Sequence, residues 1–111
     1  MAKPKQLTQD EVLAIQDEVR RRDQNRCLLD GKLGGEVHEM LQKSSSRPRS
    51  ARVYQKKFMA VICSQHHTDL HHTGQKRKIN ARLLTMLRRR YGYRYTENEL
   101  KKFAEKKGVD R

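Results

Sequence analysis

The chain has 111 residues, of which 35% are charged and 34% hydrophobic, a length that allows one ordinary domain and excludes two. Its 26 Lys and Arg residues against 13 Asp and Glu residues give a formal net charge of +13, which points to a nucleic-acid partner rather than a membrane. Since no stretch approaches the ~18 apolar residues of a membrane span and the N-terminus lacks the apolar core of a secretion signal, the sequence predicts a cytoplasmic protein.

The first predicted element is an amphipathic helix over residues 8–22. Thr8 and Glu11 form the sequence signature of a capping box, and apolar residues recur at helical spacing from Val12 to Val19. Arg20–Arg22 lie in the last predicted turn, where positive charge suits the helix dipole. Part of this basic run is therefore expected to be structural.

A turn and two strands are predicted next. The segment Cys27–Gly31 resembles a zinc-knuckle turn, and it leads into a strand over Glu36–His38. Residues 42–52 are rich in Ser, Arg and Lys, which predicts an exposed loop able to grip phosphate. Ser50 is expected to cap a short helix over residues 51–57, and Phe58–Ile62 to form a buried strand that runs into Cys63.

Three helices are predicted after Cys63. The first covers Ser64–His72, and the second covers residues 79–90 with Leu83, Met86 and Leu87 facing inward. The third begins at a second capping box, Thr96 and Glu99, carries Leu100 and Phe103 inward, and ends near Gly108. The tyrosines between the last two helices, Tyr91, Tyr93 and Tyr95, are expected to pack on the core rather than to stack on bases.

All five histidines lie between residues 38 and 72. On a helix His67 and His71 share one face, so both imidazoles can reach one cation from adjacent turns. His38 arrives from a strand and could complete a three-histidine metal site. Taken alone, His38 is better explained as a core histidine; the helical pair beside it favours the metal site. His72 points to another helix face and is expected at the surface.

A second candidate metal site combines two pairs with equal spacing. Cys27 and Asp30 have two residues between them, as do Cys63 and His66, and two such knuckles supply the four ligands of a closed structural zinc site. Because a chain with no export signal resides where thiols stay reduced, metal ligation is favoured over a disulfide. Asp is an unusual zinc ligand, so Asp30 could instead cap the turn, with water, His72 or nothing in its place.

The order of these motifs resembles the HNH endonucleases, particularly small members encoded by phages and prophages. The resemblance covers about residues 20–74 and rests on Arg26-Cys27-x-x-Asp30-Gly31, Gly-Gly-Glu-Val-His38-Glu39, Cys63-x-x-His66-His67 and His71. It implies a single α+β domain over residues 1–111: an N-terminal helix, a zinc-pinned, treble-clef-like ββα-metal core, and a basic helical extension over residues 75–111. If the chain is phage-encoded, it would act in the cytoplasm of a bacterial host.

The resemblance also implies roles for individual residues in cleavage of double-stranded DNA. A structural Zn²⁺ would be held by Cys27, Asp30, Cys63 and His66. A catalytic Mg²⁺, Mn²⁺, Ni²⁺ or Zn²⁺ would be held by His38, His67 and His71, with His38 and Glu39 as the catalytic residues. Phosphate contacts are assigned to Arg47, Arg49, Arg52, Arg88, Arg89 and Arg90. A monomer with one site would nick DNA, whereas a homodimer could cut both strands.

The sequence departs from the HNH pattern at two positions. Glu39 stands where many members have a histidine general base, and a carboxylate is a weaker base than imidazole at neutral pH. The asparagine of the motif has no counterpart, since Phe58 stands about where it would be; Gln55 or backbone contacts are candidate substitutes. These departures support an alternative function, a catalytically inactive zinc-stabilised nucleic-acid-binding protein. A small ribosome-associated basic protein would explain the charge but leave the three histidines without a role.

Overall fold

A computed structural model describes residues 5–41, 49–72 and 74–101. Over these ranges the chain is a small α+β fold in which helices surround one two-stranded antiparallel sheet. The elements in chain order are α1 (Gln9–Arg22), β1 (Glu36–Glu39), a 3₁₀ turn (Lys56–Phe58), β2 (Met59–Ile62), α2 (Ser64–His72), α3 (Lys76–Tyr91) and α4 (Glu97–Lys101). None of the helices in this described part is long and apolar enough to span a bilayer.

The predicted N-terminal capping box is present and starts α1. The Thr8 side chain accepts a hydrogen bond from the Glu11 backbone N–H at 3.1 Å, and the Glu11 carboxylate accepts one from the Thr8 N–H at 2.8 Å. Two otherwise unpaired backbone donors of the first turn are thereby satisfied. Val12 and Val19 are buried, so the apolar face of α1 faces the core.

The sheet places the histidine of β1 beside the buried centre of the fold. In the antiparallel register His38 lies opposite Ala60 and Glu39 lies opposite Met59. All four residues of β2 are buried, because β1 lies beside this strand and α1 packs against it. Gly35 precedes β1 with φ +129°, and a side chain there would collide with the backbone oxygen of Ile62. Glycine is therefore needed where the chain enters the sheet.

Helix α3 closes the core and confirms the predicted helix, which begins three residues earlier than expected. Its buried stripe consists of four aliphatic residues and one asparagine: Ile79, Asn80, Leu83, Leu84 and Leu87. Arg82 and the run Arg88–Arg90 are exposed, as predicted, and Met86 is partly buried. The helix ends at Gly92, which adopts the left-handed conformation typical of a helix C-terminus.

Asp23, immediately after α1, joins three elements through a fully buried carboxylate. That carboxylate accepts hydrogen bonds from the Arg22 guanidinium at 2.8 Å, the Val61 backbone N–H at 2.9 Å and the Tyr91 hydroxyl at 2.6 Å. The Arg22 guanidinium also donates to the Met59 carbonyl at 2.7 Å. Burial alone would lower the pKa of Arg22, but its bonds to Asp23 and Tyr93 and the charge of Asp23 raise it. Arg22 therefore stays charged, and the hydrogen bonds of Arg22 and Asp23 link α1, β2 and α3.

The tyrosine linker packs on the core, as predicted. Tyr91, Tyr93 and Tyr95 are each half-buried against the hydrophobic cluster. The Tyr95 hydroxyl donates to the Lys57 carbonyl, and the Tyr93 hydroxyl accepts from Arg22. Burial raises the pKa of Tyr95 to about 12, so this hydroxyl stays protonated and able to donate at neutral pH.

Two predictions about local structure were wrong. Residues 51–57 do not form a helix capped by Ser50: the Ser50 hydroxyl accepts from the Arg52 N–H within a turn, and only Lys56–Phe58 is helical. The competing interaction is a backbone pairing in which Leu7 donates to the Arg49 carbonyl and Ala51 donates to the Lys5 carbonyl, and residues 51–53 form a turn instead of a helix. Leu100 was expected to face inward but is 40% exposed. The capping box Thr96–Glu99 forms as predicted, whereas Phe103 and Gly108 lie outside the described residues.

Candidate metal centre and adjoining cleft

The first half of the candidate metal centre is a tight turn between α1 and β1. Gly31 donates its backbone N–H to the Cys27 carbonyl at 2.8 Å, and Arg26 forms an antiparallel bridge with Leu33 across the turn. Leu28 donates to the Val61 carbonyl at 2.9 Å, which ties the turn to β2. The turn therefore places Cys27 and Asp30 near the residue that follows β2.

The second half is built where β2 passes into α2. Cys63 directly follows the last buried residue of β2, and its carbonyl accepts the His67 N–H at 2.9 Å as the helix begins. His66 lies three residues later, in the first turn of α2, so its imidazole reaches back toward the cysteine. The two predicted knuckles thus meet at the end of the sheet where β1 begins and β2 ends.

The four side chains predicted to hold zinc form one cluster. Their ligand atoms, from Cys27, Asp30, Cys63 and His66, all lie within 4.8 Å of one another. His66 Nδ1 is 3.2 Å from Cys63 Sγ, 3.6 Å from Cys27 Sγ and 3.3 Å from Asp30 Oδ2. A tetrahedral zinc ion with bonds of about 2.3 Å to sulfur and about 2.0 Å to nitrogen or oxygen separates its ligands by roughly 3.3 to 3.8 Å. The cluster could therefore hold a metal ion such as zinc with little rearrangement.

Asp30 combines the two roles that the sequence analysis treated as alternatives. Its Oδ1 accepts the Lys32 backbone N–H at 2.9 Å, which closes the turn. Its Oδ2 is 3.1 Å from Cys63 Sγ and faces the cluster. One oxygen thus fixes the turn while the other is available as a ligand.

The ionisation of the cluster suits a cation. The backbone N–H of Lys32 is the main reason why the pKa of Asp30 falls to about 2, so this carboxylate is charged at neutral pH. Burial raises the pKa of the Cys27 thiol, which favours the protonated form without a metal. A bound metal would displace that proton, so binding would release protons and weaken in acid.

A polar cleft of about 400 Å³ lies between β1, α2 and the start of α3. All residues predicted to carry the catalysis line it, namely His38, Glu39, His67 and His71. Lys76, from the first turn of α3, lines the same cleft and adds a positive charge. The fold therefore brings the predicted catalytic residues to one place, separate from the Cys-Asp-Cys-His cluster.

His38 is buried and held by an asparagine that the sequence analysis did not assign. Its Nε2 is 2.8 Å from Oδ1 of Asn80, and the two residues are 8% and 3% exposed. Burial lowers the pKa of His38, which favours the neutral imidazole. Since an amide oxygen only accepts hydrogen bonds, a neutral His38 donates through Nε2 and keeps the lone pair on Nδ1.

The two helical histidines of the cleft are neighbours. The rings of His67 and His71 lie edge to face with centroids 4.5 Å apart, and His67 Nε2 is 3.4 Å from the Glu36 carboxylate. Across residues 5–41, 49–72 and 74–101, however, the Cys-Asp-Cys-His cluster is the sole group of at least three ligating side chains within 4.8 Å. His38, His67 and His71 share the cleft without such close convergence.

Glu39 is positioned from α1. The Gln16 amide donates to the Glu39 carboxylate at 3.2 Å. Glu39 and His38 are thus held by different helices, Glu39 from α1 and His38 from α3. Gln55, considered as a substitute for the missing asparagine, donates instead to the Arg52 carbonyl within its own turn at 2.8 Å.

The predicted phosphate-binding arginines are exposed wherever the structure describes them. Arg49 and Arg52 lie in the turn before β2, and Arg88–Arg90 form the last turn of α3. Arg47 lies outside the described residues. Arg52 was expected on a helix and instead occupies a turn, because the residues before it pair with the N-terminal segment.

Two residues that contact the cleft histidines, Asn80 and Glu36, were not predicted as site residues, although each has a feature that is visible in the sequence. Asn80 is a single polar residue in the otherwise aliphatic stripe of α3, a pattern that marks a buried polar contact. Glu36 lies two residues before His38, the spacing that places both side chains on one face of a strand. Neither feature identifies the contact, because Asn80 contacts His38 and Glu36 contacts His67, and each pair is far apart in the chain.

Comparison with protein-family models, with curated proteins and with solved structures found no match to this chain.

Proposed function

We propose that this chain is a metal-dependent DNA endonuclease of the HNH type, stabilised by a structural zinc ion. The observation that carries the proposal is spatial. An antiparallel strand pair followed by a helix carries a Cys-Asp-Cys-His cluster and, lined by other residues, a separate cleft with three histidines and two carboxylates. A purely structural zinc protein has no need of the second group.

The residues of the cleft suit hydrolysis of a phosphodiester bond. A divalent ion held by His38, His67 and His71 would neutralise negative charge on the scissile phosphate and on the leaving 3′ oxygen. Asn80 fixes His38 with its Nδ1 lone pair free. Gln16 donates a hydrogen bond that holds the Glu39 carboxylate. That carboxylate accepts a proton from the attacking water as the water oxygen bonds to phosphorus and the bond from phosphorus to the 3′ oxygen breaks. The leaving oxygen takes a proton from solvent.

The charge distribution suits a DNA backbone. Lys76 borders the cleft, and Arg49, Arg52 and Arg88–Arg90 are exposed elsewhere on the surface. Contacts of this kind hold phosphates without reading base sequence. They weaken as the salt concentration rises, because the counterions that binding releases then gain less entropy. We propose that they bind double-stranded DNA.

A second candidate function, a zinc-stabilised nucleic-acid-binding protein without cleavage, is favoured by one observation. His38 Nε2 is already occupied by Asn80, and the three histidines are not gathered as closely as the ligands of the first cluster. This alternative predicts one metal ion per chain and salt-sensitive binding. The nuclease predicts a second, exchangeable metal and a cut product.

The test is conversion of supercoiled plasmid to open-circle DNA by the full chain. The protein is first loaded with one equivalent of zinc, and the same sample is assayed with Mg²⁺, Mn²⁺ or Ni²⁺ and with no added metal. We expect nicking that requires the added ion. Omitting the ion is a better control than a strong chelator, which would also strip the structural zinc. Intact plasmid in every metal, with DNA binding retained, would select the binding protein instead.

A further inference from the structure

A second pocket, of about 410 Å³, lies at the C-terminal end of α3, where the tyrosine linker meets α4. Cationic, aromatic and aliphatic side chains line it together with one glycine: Arg88, Gly92, Tyr93, Arg94, Tyr95 and Leu100. No carboxylate is among these residues. We infer that this pocket binds one unpaired nucleotide of a single-stranded DNA segment, with the base against the tyrosines and the phosphate against the arginines.

The two tyrosine rings are already immobilised. Tyr93 accepts a hydrogen bond from Arg22, and Tyr95 donates one to the Lys57 carbonyl. The Tyr95 ring also packs against Phe58, with centroids 5.5 Å apart. Since both hydroxyls are bound within the protein, the half-exposed rings offer apolar surface at low entropic cost. Such preformed aromatic surface is what a base stacks on.

The remaining lining residues complete the complementarity to a nucleotide. Arg88 and Arg94 are exposed and carry two positive charges, and none of the described residues that line the pocket is a carboxylate. Leu100, 40% exposed, supplies an apolar edge. Gly92 leaves the pocket open, since a side chain built there would meet no atom within 4 Å. Leu100 was expected to face inward, and its exposure lets its side chain contact a base in the pocket.

The pocket favours an unpaired base over duplex DNA. In a duplex both faces of each base are covered by its neighbours, so an aromatic surface gains contact only with a base that has left the stack. The proposal therefore goes beyond the nuclease activity. It requires neither a metal ion nor the histidine cleft.

The test is binding of fluorescein-labelled oligothymidylate of ten nucleotides, followed by anisotropy with zinc-loaded full chain and no added catalytic metal. We expect Tyr93→Leu to weaken binding roughly 5- to 100-fold, the range for loss of stacking on one ring. Tyr93→Phe, which keeps the ring and loses only the hydroxyl, should bind within about two-fold of the wild type. Binding to a hairpin duplex should change equally little in both variants.

Arginine variants test the phosphate contact. Arg94→Ala should weaken binding to the single strand. The number of counterions released on binding, read from the slope of the logarithm of affinity against the logarithm of salt concentration, should fall by about one. Arg21→Ala, which removes an exposed charge from α1, is the matched control and should have the smaller effect. Equal losses in Tyr93→Leu and Tyr93→Phe, or tighter binding of oligouridylate than of oligothymidylate, would overturn the assignment. A failure to nick plasmid would leave it intact.

Discussion

Replacing Cys63 with Ser should abolish tight zinc binding and leave most of the chain unfolded at 25 °C. Structural zinc contributes roughly 10 to 16 kcal/mol of apparent binding energy in small zinc domains, while a whole domain is stable by only about 5 to 15 kcal/mol. In this protein the cluster ties the turn after α1 to the junction of β2 and α2, so its loss releases the end of the sheet where β1 begins and β2 ends.

Zinc content and the melting curve of the helical circular dichroism signal are measured together for this prediction. Asp30→Asn provides a graded comparison, because the amide oxygen can still accept the Lys32 N–H while the ligand loses its charge. Its effect should fall between those of Cys63→Ser and of Thr68→Ala, an exposed position on α2. A Cys63→Ser protein that lacks zinc and melts like the wild type would contradict a structural role for the cluster.

Asp23→Asn should lower the free energy of unfolding by about 3 to 5 kcal/mol, the usual loss when one partner of a buried ion pair is removed. The substitution keeps the shape of the side chain, so the charge and the acceptors are what change. Arg22, whose side chain is only 13% exposed, would lose its counterion, and an amide N–H would face the donors of Val61 or Tyr91.

Urea unfolding of the zinc-loaded protein measures this loss. Tyr91→Phe removes a single hydroxyl from the same network and should cost less, about 1 to 3 kcal/mol. The order of the two variants is the informative result. If Asp23→Asn cost no more than Tyr91→Phe, the carboxylate would be one acceptor among several rather than the centre of the network.

Local patterns predicted the helices and the zinc-type cluster. The capping box at Thr8 and the two-residue spacing within each knuckle are local, so the sequence specifies them directly. The meeting of the two knuckles across 33 positions was predicted because together they supply the four ligands of a zinc site. The helix expected after Ser50 was wrong because pairing with the N-terminal segment, more than 40 positions away, competed with a local preference.

The contact that holds His38 in the cleft and the contact that holds Asp23 in the core are both long-range, and this is why the sequence did not yield them. Asn80 reaches His38 across 42 positions, and Asp23 reaches Tyr91 across 68. Each pair is specified by how α3 packs on the sheet, which no local pattern encodes. The sequence did provide the donor types of the cleft, because the clustering of histidines is visible without the fold.

The measurement that tests the central claim most directly compares plasmid nicking by His67→Ala and Thr68→Ala. These adjacent positions lie on α2; His67 lines the cleft, whereas Thr68 is exposed and does not. With both proteins zinc-loaded and folded, and with Mn²⁺ added, we expect the nicking rate of His67→Ala to fall on the order of 100-fold or more. Thr68→Ala should nick like the wild type. Equal nicking by the two variants, or none by the wild type, would contradict the claim that the histidine cleft cuts DNA.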